Sequence, residues 1–227
     1  LVHQGIDPVW AQIYDLLGEN AGESIHTKLV SVLAAGTVVR YVSQTSRTAV
    51  TAANIMTVVE LRKGMRTLAA ANAKRFPDNT YHCLIHPNVA YDVMTDTAWR
   101  NPGEYAGGSG FGNNSIQYGE LGRLYGITFF QSTDAPLFGG GGASGVDVYG
   151  TLIYGPGWFG TVSLEAEAMP MPNAETQKGI QVTGVPVETE TKDDPLGQFG
   201  VAGWKANFTS VILQQFRAVR IESSATS

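Results

Sequence analysis

Three glycines with the spacing G-x-G-x-x-G occur in GPGWFG at residues 155–160. In a dinucleotide-binding fold this pattern must open a helix whose first amides receive the pyrophosphate. Here residues 161–164 continue as a strand-like segment, and the bulky Trp158 and Phe159 occupy the approach. The pattern therefore predicts a turn between two strands, with small-molecule binding at Gly155 as the alternative.

His82 and His86 are four residues apart, which is the spacing of a helical zinc site. Their surroundings, YHCLIH at 81–86 before Pro87, are short and apolar and predict a strand. On a strand both side chains would lie along one face, but about 13 Å apart, which is too far to share an ion. The glutamate of H-E-x-x-H is also missing, so we expect no structural metal and no cofactor.

Other residues that could do chemistry have no supporting pattern. No G-x-S-x-G elbow surrounds Ser109 or Ser144, and the acids are scattered, with Asp193-Asp194 interpreted as a loop start. The single cysteine, Cys83, excludes an intrachain disulfide and is interpreted as a small buried hydrophobe. We therefore expect a protein that is not an enzyme.

Composition narrows the class of partner. The chain has 227 residues, 43% of them apolar and 15% charged, where about a quarter is usual for charged residues. We infer that partners cover part of its surface. The net charge of −5, without a basic tail or a Lys/Arg cluster, disfavours sequence-independent nucleic-acid binding. No apolar run approaches the roughly 18–20 residues that span a bilayer. Because the sequence starts at Leu1 without methionine, we expect a fragment or a processed product.

The elements that would position these residues begin with a capped helix. Thr57 and Glu60 have the spacing of a capping box, in which two amides at the helix start are satisfied reciprocally. Apolar residues at helical spacing extend this helix towards Lys74 and Arg75, and Pro77 stops it. The strand at 81–86 and a short helix at 89–94 follow. The pattern is typical of the centre of an α+β domain.

A longer helix precedes this centre. Asp7-Pro8 is a helix-start pair, and an apolar stripe continues to Gly36, which gives about 27 residues or roughly 40 Å. Trp10 and Tyr14 lie on one side of it and would meet either the core or a neighbouring subunit.

The remaining segments alternate between loops and strands. Residues 101–118 predict a long polar loop, and 166–192 predict a surface insertion. We expect further strands at 37–42, 127–130, 146–154, 161–164, 180–182, 201–213 and 218–221.

Three blocks of sequence, in this order, resemble a known family. The first is TVVELRK at 57–63 with IHPN at 85–88, and the second is GELGRLYGI at 119–127 leading to DVYG at 147–150. The third is DPLGQ at 194–198 with GWKA at 203–206 and VRI at 219–221. Together they resemble the major capsid proteins of tailed bacteriophages with the Hong Kong 97 (HK97-like) fold, particularly the branch found in some podophages.

The resemblance implies an α+β fold with a long spine helix, a peripheral domain and an axial domain. Residues 1–47 would begin the peripheral domain, 48–192 would form the axial domain, and 193–227 would return to the peripheral sheet. The implied function is self-assembly into pentamers and hexamers of an icosahedral head that encloses double-stranded DNA without sequence-specific binding. Scaffold, portal or decoration proteins would be further partners, no membrane is involved, and the protein would belong to the virion after assembly in the host cytoplasm.

In such a family the polar loop at 101–118 would reach towards the centre of each ring. We expect its small residues to crowd against their own symmetry copies, namely Gly107, Gly108, Gly110, Gly112 and Asn114. The alternatives are an encapsulin-like bacterial nanocompartment shell, which encloses a cargo enzyme, and a small-molecule-binding enzyme.

Overall fold

The computed structural model describes residues 7–99, 122–163, 175–177, 180–185, 201–206 and 208–226. The chain divides into two compact units, one formed by residues 1–29 and 161–210 and the other by residues 30–160 and 211–227. The larger unit contains Thr57, His82, His86 and Gly155.

The bounds of three α-helices are described, α1 (Asp7–Leu33), α2 (Val58–Ala70) and α3 (Pro87–Thr95), and residues 97–99 are also helical. The length of α1, 27 residues, matches the predicted long helix. Single 3-10 turns lie at Arg47–Ala49, Ala143–Gly145 and Gln215–Arg217. None of the described helices is long and apolar enough to cross a membrane.

The predicted start of α2 is confirmed, but its predicted end is wrong. Thr57 is the N-cap, as expected, whereas the helix ends at Ala70 and leaves Lys74 and Arg75 outside it. Asn72 adopts a left-handed conformation with φ 53°, the amide of Ala73 bonds the carbonyl of Leu68, and that of Asn72 bonds Ala69. These two bonds form a Schellman motif, which ends a helix although the apolar pattern continues.

Twelve strands are described, with these bounds: β1 (Val39–Tyr41), β2 (Tyr81–Ile85), β3 (Arg123–Leu124), β4 (Ile127–Gln131), β5 (Leu137–Phe138), β6 (Val148–Tyr154), β7 (Phe159–Ser163), β8 (Glu175–Gln177), β9 (Ile180–Val185), β10 (Val201–Ala206), β11 (Phe208–Ile212) and β12 (Ala218–Ser223).

The larger unit is organised around a seven-stranded mixed sheet in the order β1-β12-β6-β2-β4-β3, with β5 paired to β6. Strand β12 runs parallel to β1 and antiparallel to β6, and β2 runs parallel to β4. The register places Cys83 opposite Ile153, and Ile153 opposite Val219. These residues share one face of the sheet, which packs with α2 and α3 into the main hydrophobic core.

The smaller unit contains α1 up to Leu29 and a three-stranded antiparallel sheet in the order β10-β9-β8. The indole of Trp204 on β10 donates to Asn20 Oδ1 of α1 at 2.9 Å. Strands β8 and β9 fall within the predicted surface insertion at 166–192, and β9 pairs with β8 on one side and with β10 on the other.

The compact units have different bounds from the predicted domains. The prediction assigns β1 and β12 to a peripheral domain and β2 and β6 to an axial domain, but all four strands belong to one sheet. Residues 193–227 were expected to return to the sheet begun by residues 1–47, and β12 pairs with β1, but it also pairs with β6 of the predicted axial domain. The assignment of peripheral and axial roles stays a prediction.

Candidate functional site

The glycine pattern at 155–160 forms the predicted turn between β6 and β7. Gly157 has φ +72°, and Trp158 is only 1% exposed. A Cβ on Gly155 would lie 2.4 Å from the carbonyl oxygen of Lys74. The described residues after this turn form strand β7, so the pattern does not open a helix whose amino terminus could receive a phosphate.

Residues 213–217 form hydrogen bonds with the same turn. The carbonyl of Trp158 accepts hydrogen bonds from the amides of Leu213 and Gln214, at 2.8 and 3.1 Å. The Arg217 guanidinium donates to the carbonyl of Pro156 at 2.7 Å. These hydrogen bonds connect the turn after β6 to the segment before β12. The glycine-containing turn therefore has a structural role.

His82 and His86 lie in different surroundings. His82 is on β2 as predicted, and its ring stacks on Phe76 with centroids 3.8 Å apart. Its Nε2 lies 3.8 Å from a carboxylate oxygen of Asp78. The prediction that both histidines follow one strand face is wrong for His86, because β2 ends at Ile85 and His86 is the N-cap of α3.

His86 acts through its ring nitrogen. The amide of Asn88 donates to Nδ1 of His86 at 3.2 Å, and burial lowers the pKa of this histidine. An unprotonated Nδ1 is required for that bond, so the cap and the lowered pKa agree. No group of three or more His, Cys, Asp or Glu side chains suited to a metal occurs among the described residues.

Thr57 and Glu60 meet at the start of α2, but their bonding is not reciprocal. The amide of Glu60 donates to Thr57 Oγ1 at 3.4 Å, while the Glu60 carboxylate binds Lys63 Nζ at 2.5 Å. The amide of Val58 donates to the carboxylate of Asp96 at 2.9 Å. Asp96, which follows α3, thus satisfies a first-turn amide different from the Thr57 amide that a capping box assigns to Glu60.

Of the other predicted interface residues, two lie in α1 and the rest lie outside the described part of the chain. Tyr14 lies in α1 and is 36% exposed, while Trp10 lies in α1 with a side chain outside the described part of the chain. Gly107, Gly108, Gly110, Gly112 and Asn114 all lie outside the described residues.

An ion cluster that the sequence analysis missed lies on the other face of the sheet. Arg47 donates to both carboxylate oxygens of Glu222 at 2.7 Å, and Arg220 Nε donates to the same carboxylate at 2.8 Å. Glu222 is fully buried, and its hydrogen bond raises the pKa of Arg47. The Arg47 guanidinium also stacks 3.5 Å above the ring of Phe138.

The cluster fixes distant segments to the central strand. Arg220 Nη1 donates to the carbonyls of Ala34 and Gly36, which follow α1. The only sequence signal was the alternation of charged and apolar residues in 220–222, and nothing pointed to Arg47, which is 175 positions from Glu222.

A basic face of α2 is the second feature that the sequence analysis missed. Val59, Arg62 and Arg66 are all exposed, and Val59 is 53% exposed. They occupy positions i, i+3 and i+7, so they share one side of the helix. The Arg62 guanidinium lies 4.9 Å from the ring centroid of Tyr125, a residue of the β3–β4 turn. This cation–π contact positions the Arg62 side chain.

Comparison with known proteins identifies the fold. The head structure of Helicobacter pylori bacteriophage KHP40 is similar, with a TM-score of 0.67 at 13% identity over 96% of this chain and 70% of that chain. The capsid of Cyanophage P-SCSP1u gives 0.61 at 17% identity over 95% and 66%. A chain from Mycobacterium phage Che8 gives 0.53 at 12% identity over 86% and 56%. The fold is therefore the HK97-like capsid fold.

The chain spans only 56% of the length of the Mycobacterium phage Che8 chain and 66% of that of the Cyanophage P-SCSP1u chain. No curated protein matches its sequence. The family model described as phage capsid protein matches residues 3–220, which is nearly the whole sequence. This chain therefore belongs to the phage capsid protein family.

Proposed function

We propose that this chain is the structural subunit of an icosahedral phage head. It self-assembles into pentamers and hexamers that close into a shell around double-stranded DNA. The observation that carries the proposal is the match of residues 3–220 to the phage capsid family. The HK97-like fold supports it independently.

A shell subunit works through complementary surfaces. Its contacts are heterologous, meaning that one patch of a subunit meets a different patch of the next, and the rotation must close into rings. Several large apolar side chains are exposed on the described surface: Leu16 (64%), Val59 (53%), Tyr91 (60%), Leu213 (60%) and Phe216 (46%). Such side chains suit a surface that neighbouring subunits cover.

Geometry also argues for a structural rather than a catalytic role. The glycine pattern is a clamped turn, the two histidines lie apart, and burial raises the pKa of the Cys83 thiol far above its usual range. A thiol in that state is a poor nucleophile. We infer a protein without catalytic activity and without a cofactor.

The partners follow from the proposed shell. The subunit binds copies of itself, encloses DNA without reading its sequence, and meets scaffold, portal or decoration proteins. Its place is the virion, and assembly occurs in the host cytoplasm.

Microscopy of the purified full-length protein tests the proposal. Negative staining should show closed shells of uniform size, and persistent monomers under all assembly conditions would contradict it. In an infected culture, the chain should sediment with DNA-filled particles. DNA-free particles that carry a cargo enzyme would favour a nanocompartment, and a thermal shift with dinucleotides would favour an enzyme.

The predicted glycine-rich loop at 101–118 provides a test at residue level. Replacing Gly108 and Gly110 with bulky residues should prevent ring closure, because close approach of backbones needs glycine. The free energy of unfolding of the subunit should change by no more than about 0.5 kcal/mol, which is usual for surface substitutions. Normal shells from this double variant would refute the placement of the loop at the ring centre.

A further inference from the structure

We propose that the basic face of α2, formed by Val59, Arg62 and Arg66, binds an acidic face of α1 in a second copy of this chain. The acidic face consists of Leu16, Glu19 and Glu23. The inference rests on the proposed function and deepens it, because it names surfaces that join neighbouring subunits.

Charge is distributed unevenly along the chain. Residues 58–75 carry five of the 15 Lys and Arg residues but only one of the 20 Asp and Glu residues. The rest of the chain therefore has ten cations against nineteen acids. The one acid in this segment, Glu60, is buried and bound to Lys63, so it does not neutralise the exposed arginines.

Arg62 and Arg66 are placed as a pair of like charges. They are four residues apart, which separates them by about 6 Å along the helix axis. Like charges at this spacing destabilise a helix. Among the described residues neither arginine forms an ion pair, and the only contact that positions Arg62 is the ring of Tyr125. Both arginines are exposed and solvated, so an anionic partner is not required, but one placed over this face would relieve their mutual repulsion.

The exposed side of α1 has the same spacing with the opposite charge. Leu16 is 64% exposed, and the exposed Glu19 and Glu23 follow at i+3 and i+7. On α2 the exposed Val59 is followed at i+3 and i+7 by Arg62 and Arg66. Two helices packed in parallel would bring the aliphatic residues together and align both charged pairs.

A second copy fits this surface better than nucleic acid does. A phosphate backbone would satisfy the two arginines but leave Val59 without an apolar contact, and the acidic remainder of the chain would repel it. A contact between unlike faces of two copies is also the heterologous type that builds rings. Exposed ion pairs add little affinity, but they fix the register of the contact and exclude wrong partners.

Charge reversal in the full-length protein tests the inference. Arg62→Glu with Arg66→Glu should reduce the assembled fraction, measured by sedimentation and negative staining, at least tenfold. Glu19→Arg with Glu23→Arg should do the same. The chain that carries all four changes should assemble again, because the charges are exchanged. A matched control, Lys74→Glu with Lys205→Glu, changes exposed cations that lie on neither helix and should assemble normally.

Crosslinking gives a second readout that does not depend on complete shells. Separately purified Val59→Cys and Leu16→Cys proteins should form a disulfide-linked dimer when mixed under oxidising conditions, and neither should do so alone. Cys83 stays in both, because it is buried.

Three results would overturn the inference: normal assembly of either reversed variant, failure of the four-fold exchange to restore assembly when all variants melt normally, or no crosslink in the mixture. If Arg62→Glu with Arg66→Glu assembled normally but bound double-stranded DNA more weakly, the arginines would contact phosphate instead. If the unchanged protein formed no shells, the proposed function itself would fail. Normal shells from the reversed variants would refute this inference alone.

Discussion

Removing the carboxylate of Glu222 should destabilise the larger unit more than any single surface change. Glu222→Ala leaves the buried Arg220 guanidinium without its counter-ion and breaks three hydrogen bonds of 2.7–2.8 Å. Truncating one member of a buried ion cluster costs about 3–5 kcal/mol. The Arg47 side chain is 32% exposed and regains some hydration, so the lower end, about 3 kcal/mol, is expected.

The assay is thermal unfolding of dilute subunits followed by circular dichroism. At about 2–4 °C per kcal/mol for a domain of this size, Tm should fall by roughly 6–12 °C. A matched control replaces all three charges at once, with Arg47→Met, Arg220→Met and Glu222→Leu. This variant should lose less stability than Glu222→Ala, because no charge stays buried without a partner. A fall of less than about 2 °C for Glu222→Ala would refute the argument that this cluster fixes the sheet.

Three further changes test single features of the larger unit by thermal unfolding. Thr57→Ala should cost about 1 kcal/mol because it removes the N-cap acceptor, whereas Thr57→Ser should keep it; equal stability of both would contradict the cap. Gly155→Ala should cost about 1–3 kcal/mol because its Cβ would lie 2.4 Å from a backbone oxygen, whereas Gly139→Ala, with 3.7 Å to the nearest atom, should be nearly neutral. Because burial lowers the pKa of His86 below 6.5, the unfolded chain binds its proton more readily, and stability should fall as pH drops through about 6.5. His86→Asn keeps a capping acceptor and should flatten that slope between pH 7 and 5; an unchanged slope would assign it to other groups.

Local signals in the sequence predicted the local parts of the fold. The length of α1, the N-cap at Thr57, the strand before Pro87 and the turn at Gly155 each depend on residues within a few positions of one another. The end of α2 was missed because alanines continue on both sides of Asn72, while the left-handed conformation of that residue stops the helix.

Features that depend on distant pairings could not be predicted. The resemblance implied that residues 193–227 return to the sheet begun by residues 1–47, but the pairing of β12 with β6 on its other side, and with it the bounds of the two units, had no signal in the residues. The contact of Arg47 with Glu222 and that of Arg62 with Tyr125 join residues whose neighbours in sequence carry no sign of the partner. Only the resemblance in the order of three short blocks gave the fold family before the structure did.

The position of β12 also sets the order of events during synthesis. Val39 pairs with Arg220, and 181 positions separate these residues. At translation rates of about 5–20 residues per second, β1 waits roughly 10–35 s for its partner to leave the ribosome. Strand β6 has an unpaired edge for part of that time, since β12 begins 64 positions after β6 ends. The nascent chain therefore cannot complete its central sheet until β12 emerges, and folding is delayed until nearly all of this sequence is available.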